Sequence, residues 1–397
     1  MKKQLTNSAM RVLGLAAAMT VTFALVNEAD AGTRHWVPGG DTNNPNEYAN
    51  SSNWSDGWYP GEDSAPGEQV LIVGTDGDRS EISSDLSGNV PDADLFWVGL
   101  NADSKAVQGS GQLDILGGGY LSLSGTQAKI GEAADGNATG TVNLKGGTYE
   151  HGGNSASGHR IILGAGGNGN TGTGIINVES GTFDAGRNLS IGGYADSTSG
   201  SLGHGELNIS GGTVDLDGGT TYVSNDYNDN DNTSGIFHVE GAGATRIHGA
   251  RDMEFKNAGT LKLGFDNSTD GVQKIEVNNT DENGSGDVRF ESGSTLDLYF
   301  TGDPLYNQTW EVMSWVGNLE DLSGTDLFGA ADTLTMDDVP LAFADGVAAE
   351  DWDVNFYKNE VVSGGYMTVT AVPEPGSLAL LLFGAALLFT GRRRRRK

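Results

Sequence analysis

One pattern constrains this chain more than any other: a glycine-punctuated unit that returns about every 30 residues. Five segments share the order Gly-x-apolar-polar-apolar followed by a small-residue corner. They are Gly111–Gly118 (GQLDILGG), Gly140–Gly147 (GTVNLKGG), Gly174–Gly181 (GIINVESG), Gly205–Gly212 (GELNISGG) and Gly235–Ala242 (GIFHVEGA). Their opening glycines are 29, 34, 31 and 30 residues apart. Self-similarity at such a period is the signature of a stacked-coil architecture.

Each unit carries two more pieces. After the corner comes Thr-apolar-acidic, as in Thr148-Tyr149-Glu150, Thr182-Phe183-Asp184 and Thr213-Val214-Asp215. A short run then closes on glycine at Gly99, Gly131, Gly164 and Gly192, and Tyr222-Val223-Ser224 continues the series with serine. Three short strands per coil follow. A lone coil buries little and leaves both strand edges unpaired, whereas stacking pairs each strand with its equivalents at ~4.8 Å per step. The apolar pairs, such as Val142 with Leu144, then point one way and merge into a core. The residue between them faces outward, which predicts a column of Asp114, Asn143, Asn177, Asn208 and His238 along which stacked amides hydrogen-bond. Segments Asn137–Gly140 and Gly166–Gly174 read as loops projecting from the stack. A β-sandwich of hairpins is the alternative, but sandwich strands do not usually repeat their sequence at this interval.

The expected fold class is therefore all-β: a β-solenoid of about 30-residue coils with an N-terminal cap and a β-rich C-terminal region. Residues 32–95, with Trp54 and Trp58 and the strand Gln69–Val73, read as a tryptophan-rich cap and first coil. Residues 96–259 hold the repeats. Residues 260–371 keep alternating strands (Thr260–Leu263, Thr295–Phe300, Trp310–Met313, Tyr366–Thr370) without the glycine rule. This last region fits further coils with a β cap, or a separate small sandwich. The tryptophans fit the core of the cap, or a platform on which sugars stack.

Composition narrows the function. The formal charge is -30, and the two ends, 1–31 and 373–397, hold nine of the 23 basic residues but only three of the 53 acidic ones. The remainder has 14 basic against 50 acidic residues, a net charge of -36, which repels nucleic acid and anionic lipid. Glycine, at 62 of 397, is more than twice ordinary usage, while proline is only nine. Cysteine is absent, so burial and backbone pairing hold the fold without disulfides.

No catalytic constellation is legible. Without cysteine, a nucleophile would be Ser or Thr with a histidine base. The six histidines (His35, His151, His159, His204, His238 and His248) sit in no nucleophile elbow or zinc-binding helix. His238 occupies the outward column, which suggests a solvated strand position. The chain reads as a non-enzyme, with a carbohydrate-active or carbohydrate-binding β-helix protein as the alternative. No cofactor is expected. The loop Asn225–Asn232, with Asp226, Asn228, Asp229 and Asp231, supplies oxygen ligands of the kind that take Ca²⁺, but it lacks the glycine and bidentate glutamate of an EF-hand loop.

Both ends carry address information. Lys2, Lys3 and Arg11 precede an apolar run from Val12 to Val26, which closes on Ala29-Asp30-Ala31 before Gly32. This is the order of a secretory signal peptide, cleaved after residue 31 once the Sec machinery has engaged it. At the other end come Pro373-Glu374-Pro375, an apolar stretch Leu378–Phe389, and the cluster Arg392, Arg393, Arg394, Arg395, Arg396 and Lys397. As a helix, Gly376–Gly391 reaches ~24 Å against a ~30 Å hydrocarbon core. That is a short transmembrane helix, whose arginines fix the C-terminus on the cytoplasmic side. The expected product is exported, anchored in the envelope and then placed at the cell surface or outside.

These tail residues, in this order, resemble the PEP-CTERM sorting signal, which spans residues 372–397. The resemblance implies recognition by exosortase, a membrane-bound transpeptidase-like enzyme that cuts near the tripeptide. It further implies a surface or extracellular-matrix protein, often associated with exopolysaccharide. The repeats are similar, more loosely, to the strand repeats of autotransporter-type passengers, which speaks to shape and not to activity; the expected role at the surface is structural or adhesive.

Overall fold

The computed structural model describes Thr33–His35, Tyr48, Trp54 and residues 68–373, apart from short stretches such as 153–159, 194–201 and 225–232. The chain enters through β1 (Thr33–His35), β2 (Glu68–Ile72) and β3 (Ser80–Ile82). Coils of three strands follow. The first has β4 (Ala93–Asn101), β5 (Gly111–Leu116) and β6 (Tyr120–Leu123). In the next two, β7 (Gln127–Ala133) leads into β8 (Ala138–His151), and β9 (Arg160–Gly166) into β10 (Thr171–Asp184), each long strand running on through the corner. Then come β11 (Asn188–Ile191), β12 (Leu202–Ile209) and β13 (Gly212–Asp215), followed by β14 (Thr220–Val223), β15 (Thr233–Glu240) and β16 (Ala244–His248). The stack continues with β17 (Asp252–Phe255), β18 (Gly259–Phe265) and β19 (Ile275–Val277), then β20 (Val288–Phe290), β21 (Ser294–Phe300) and β22 (Thr309–Trp315). The final elements are β23 (Leu319–Asp321), β24 (Thr333–Thr335), β25 (Leu341–Phe343), β26 (Trp352–Lys358) and β27 (Gly365–Ala371).

The first strands of the coils form one ten-stranded parallel sheet from β1 to β23. The second and third strands stack as two further faces. Equivalent residues pair: Gly140, Gly174, Gly205 and Gly235 fall in one register, as do Val142, Ile176, Leu207 and Phe237. Parallel stacking crosses residue 260 without a break, because β18 pairs with both β15 and β21. The inward residues of all three faces, including Leu163, Ile176, Phe183, Leu207 and Phe255, form one buried core.

The closing glycines explain the tight corner. Gly99, Gly131, Gly164 and Gly192 hold φ of 74°, 71°, 70° and 79°, and Ser224 holds the same left-handed conformation at 62°. A Cβ on Gly164 would collide with the His204 carbonyl. Ser224 meets the strain with its hydroxyl, which donates to the Asn257 carbonyl at 2.6 Å.

The two expected loops are largely strand. Ala138–Gly140 belongs to β8 and Thr171–Gly174 to β10. Gly174 is an inward residue pressed against Ile130 and Gly164, so the apolar alternation fails there for lack of room. Among the described residues, the turn before β10 is confined to Gly167, Gly169 and Asn170.

Trp54 lies in the core of the N-terminal end, its ring edge-on to Tyr48 at 5.0 Å and its Nε1 donating to the Tyr48 carbonyl at 2.8 Å. At the far end β26 and β27 join β22 as an antiparallel cap. An aromatic plug closes the core there, with Phe265 against Trp310 at 4.6 Å and Phe300 against Trp352 at 5.0 Å.

Candidate functional site

The second-strand face carries the polar column, in register from Glu81 through Asp114, Asn143, Asn177, Asn208, His238 and Lys262 to Asp297. Asn143 Nδ2 donates to Asp114 Oδ1 at 2.7 Å, Asn177 Nδ2 to Asn143 Oδ1 at 2.8 Å, and Asn208 Nδ2 to Asn177 Oδ1 at 3.0 Å. A carboxylate only accepts, so Asp114 sets the direction of every amide behind it. Asn208 therefore turns its oxygen to His238 Nδ1, 3.1 Å away. The imidazole carries its proton there, and Nε2 accepts from the Tyr299 hydroxyl at 2.7 Å.

Charge closes both ends of the ladder. Asp114 also accepts from Gln112 Nε2 at 2.8 Å and Lys145 Nζ at 2.9 Å, and it forms an ion pair at 3.0 Å with Arg79 Nε, whose hydrogen bond goes to Glu81 Oε1. Burial pushes its carboxyl up, but the hydrogen bonds from Asn143, Lys145 and Gln112 outweigh burial and hold it below the usual range. His238 is not the solvated residue its column position suggested. Its side chain is 15% exposed, and burial, then the Lys262 ammonium, holds it below its ordinary 6.5. Burial, then the Glu240 and Asp297 carboxylates, pushes Tyr299 up to about 12.

Beside the ladder, His204 Nδ1 lies 2.8 Å from Ser234 Oγ, and its Nε2 lies 2.7 Å from Glu206 Oε1. The His204 hydrogen bond holds the Glu206 carboxyl down to about 2, against a burial effect in the other direction. Hydroxyl, imidazole and carboxylate in line is the order of an acyl-transfer triad. Acyl transfer also needs donors aimed at a developing oxyanion. Here the backbone around Ser234 is taken up in pairing with β12 and β18. Further along the same strands lies an open groove of ≈ 350 Å³, lined by Asn177, Glu179, Asn208, Ser210, His238 and Glu240 and by none of the three.

On the first-strand face Arg289 forks to three carboxylates: Glu254 at 2.8 Å, Asp287 at 2.8 Å and Glu320 at 2.9 Å. It ties β17, β20 and β23 together. Neither this staple nor the Ser234–His204 and His238–Tyr299 contacts was found from the sequence. The register alignment would have placed Ser234 opposite His204, but nothing in the repeat marks the pair.

Most residues singled out for addressing or metal binding fall elsewhere. Ala29, Ala31 and Gly32 lie outside the described residues, as do Asp226, Asn228, Asp229 and Asp231, together with Glu374, Pro375 and Arg392–Arg396. Pro373 is described and lies two residues beyond the end of β27. Among the described residues no cluster of three or more His, Asp or Glu side chains could hold a metal ion. Nor, among them, is any helix long and apolar enough to cross a membrane; the stretch Leu378–Phe389 lies outside them.

Fold and termini together define an all-β solenoid that carries a sorting address. Residues 371–396 match the family model of the PEP-CTERM protein-sorting motif. The motif implies an exported, cell-envelope-associated protein with exosortase as its processing partner. No curated protein and no solved structure matches the chain.

Proposed function

We propose that this is a non-catalytic surface or extracellular-matrix protein, structural or adhesive in role and associated with exopolysaccharide. One observation supports the reading above others. The polar groups of the long outer face, from Asp114 to Tyr299, are spent on one another across successive strands. Such a face favours rigidity and a repeated display of amides, hydroxyls and carboxylates. The charge of the region between the termini keeps the rod soluble and unaggregated outside the cell. The secretory signal, the C-terminal anchor and the eventual surface location belong to the same proposal.

Retention of the purified 32–372 domain on exopolysaccharide from the producing cells tests the adhesive part. Passage through that matrix without delay, at low and high salt, sinks it. A carbohydrate-active alternative draws on the Ser234–His204–Glu206 alignment on the same strands as the groove. It predicts turnover of an acylated polysaccharide, which the structural reading does not.

A further inference from the structure

Several carboxylates on the outer faces of the stack are matched to a cation. Glu132 takes Lys129, Asp114 takes Lys145, Asp297 takes Lys262, and Glu254 and Glu320 share Arg289. Glu179 and Glu240 are not matched. Both line the open groove on β10, β12 and β15, and among the described residues no lysine or arginine pairs with either. His238 Nε2 lies 3.9 Å from Glu240, but it accepts from the Tyr299 hydroxyl and burial keeps the ring neutral.

Register fixes the spacing of this pair. Glu179, Ser210 and Glu240 follow the partnered residues Val178, Ile209 and Val239, so they form one rim. Strands step by ~4.8 Å, which sets the stems of the two glutamates about 9.6 Å apart with the Ser210 hydroxyl between them. Beside the rim runs the column Asn177, Asn208 and His238. Asn177 keeps one amide hydrogen and one lone pair beyond its ladder bonds. Past Glu240 the rim position is Gly264, across which the Tyr299 ring lies. Among the described residues no third His, Asp or Glu joins the pair in a metal-holding group.

The groove thus offers two uncompensated negative charges, a hydroxyl and a spare amide, and its rim ends against an aromatic ring. An extended polymer with cationic groups at that spacing and hydroxyls between them is its complement. A pyranose unit is about as long as one strand step, so alternate units of an extended glycan come opposite the two carboxylates. Ammonium-to-carboxylate hydrogen bonds are the strong kind. A lysine-rich peptide would need apolar surface for its side-chain stems, and Ile209 is the one apolar residue lining the groove. Resting on the exopolysaccharide reading, we propose that the groove between Glu179 and Glu240 is a subsite for a glycan that bears free, protonated amino groups.

The test uses the full chain in detergent and titration calorimetry with two probes, a glucosamine hexamer and its N-acetylated counterpart. Tighter binding of the free amine is expected, and Glu179→Gln and Glu240→Gln should each weaken it by about threefold to fivefold. The double variant should lose the preference for the amine, while Glu350→Gln, at an exposed charge beside β26, should change nothing. Equal weakening by Glu350→Gln shows attraction by net charge alone and overturns the proposal. So does equal affinity for the two probes, or no binding of either. A lysine hexamer bound as tightly, through the same two glutamates, overturns the choice of a glycan. The matrix reading fails separately. If the cells' own exopolysaccharide is not retained while the glucosamine hexamer binds through Glu179 and Glu240, that reading falls and the subsite stands. Retention of the exopolysaccharide unchanged in the double variant overturns the subsite and leaves the reading.

Discussion

Tyr299 lies across Gly264. The two are register partners on β21 and β18, and a Cβ added to Gly264 would meet the Tyr299 ring at 2.6 Å. The ring fills the space that glycine leaves, and its hydroxyl reaches one strand further to His238. Aromatic cover of a strand glycine is a recognised way to pin register. Gly264→Ala should lower stability by about 1–3 kcal/mol through overpacking, and Tyr299→Phe by about 0.5–1.5 kcal/mol through the lost hydrogen bond. Urea unfolding measures both. Because the residues touch, the double variant Gly264→Ala/Tyr299→Phe should lose less than the sum.

His238 predicts a pH dependence with a definite sign. Its folded value lies below the ordinary 6.5, so the unfolded chain takes up a proton first. Its contribution to stability is full above about pH 6.5 and is lost as pH falls through the folded value. The groups facing it are Lys262, Glu240, Asp297 and Glu206. Glu206 acts lower down: its stabilisation is present above 4.5 and lost as pH falls through about 2. His238→Asn, which continues the amide ladder, should remove the first loss and leave the second. Identical pH profiles for variant and parent between pH 7 and pH 5 would refute the assignment.

Asn177 sits mid-ladder, donating to Asn143 and accepting from Asn208. Asn177→Ala strands an acceptor on one side and a donor on the other, at about 1–3 kcal/mol. Asn355→Ala, on an exposed contact to Asp353 in the cap, should change stability by less than about 0.5 kcal/mol. Equal effects at the two sites would show that the ladder contributes nothing special.

Gly164→Ala combines a strained φ of 70° with a collision against the His204 carbonyl. Its expected effect is more than about 2 kcal/mol, read as a fall in thermal midpoint.

A fluorophosphonate probe addresses catalysis directly. Ser234 has an imidazole at 2.8 Å but, among the described residues, no oxyanion donors set apart from the strand ladder. No labelling above that of Ser234→Ala is expected. Stoichiometric, pH-dependent labelling of Ser234 would make the chain a hydrolase and sink the structural reading.

The sequence by itself determined the coil and the address. Parallel in-register stacking places like on like, so the spacing of Gly140, Gly174 and Gly205 and the paired Val142 and Leu144 already imply a solenoid with an Asn ladder. The tail is legible because a sorting enzyme must read it as a linear motif. Tertiary structure alone decided the rest. Residues Gly166–Gly174 look like a loop in sequence because an inward glycine hides the strand period. Tyr299 reaches His238 across 61 positions, and Arg289 joins Glu254 and Glu320 at separations of 35 and 31. Beyond Gly259 the repeat no longer marks equivalent positions, so register there follows from how the aromatic plug fills the core. Where β27 stops is settled the same way: Ala371 is buried and Val372 bonded, and only from Pro373 onward does the chain belong to the sorting motif alone.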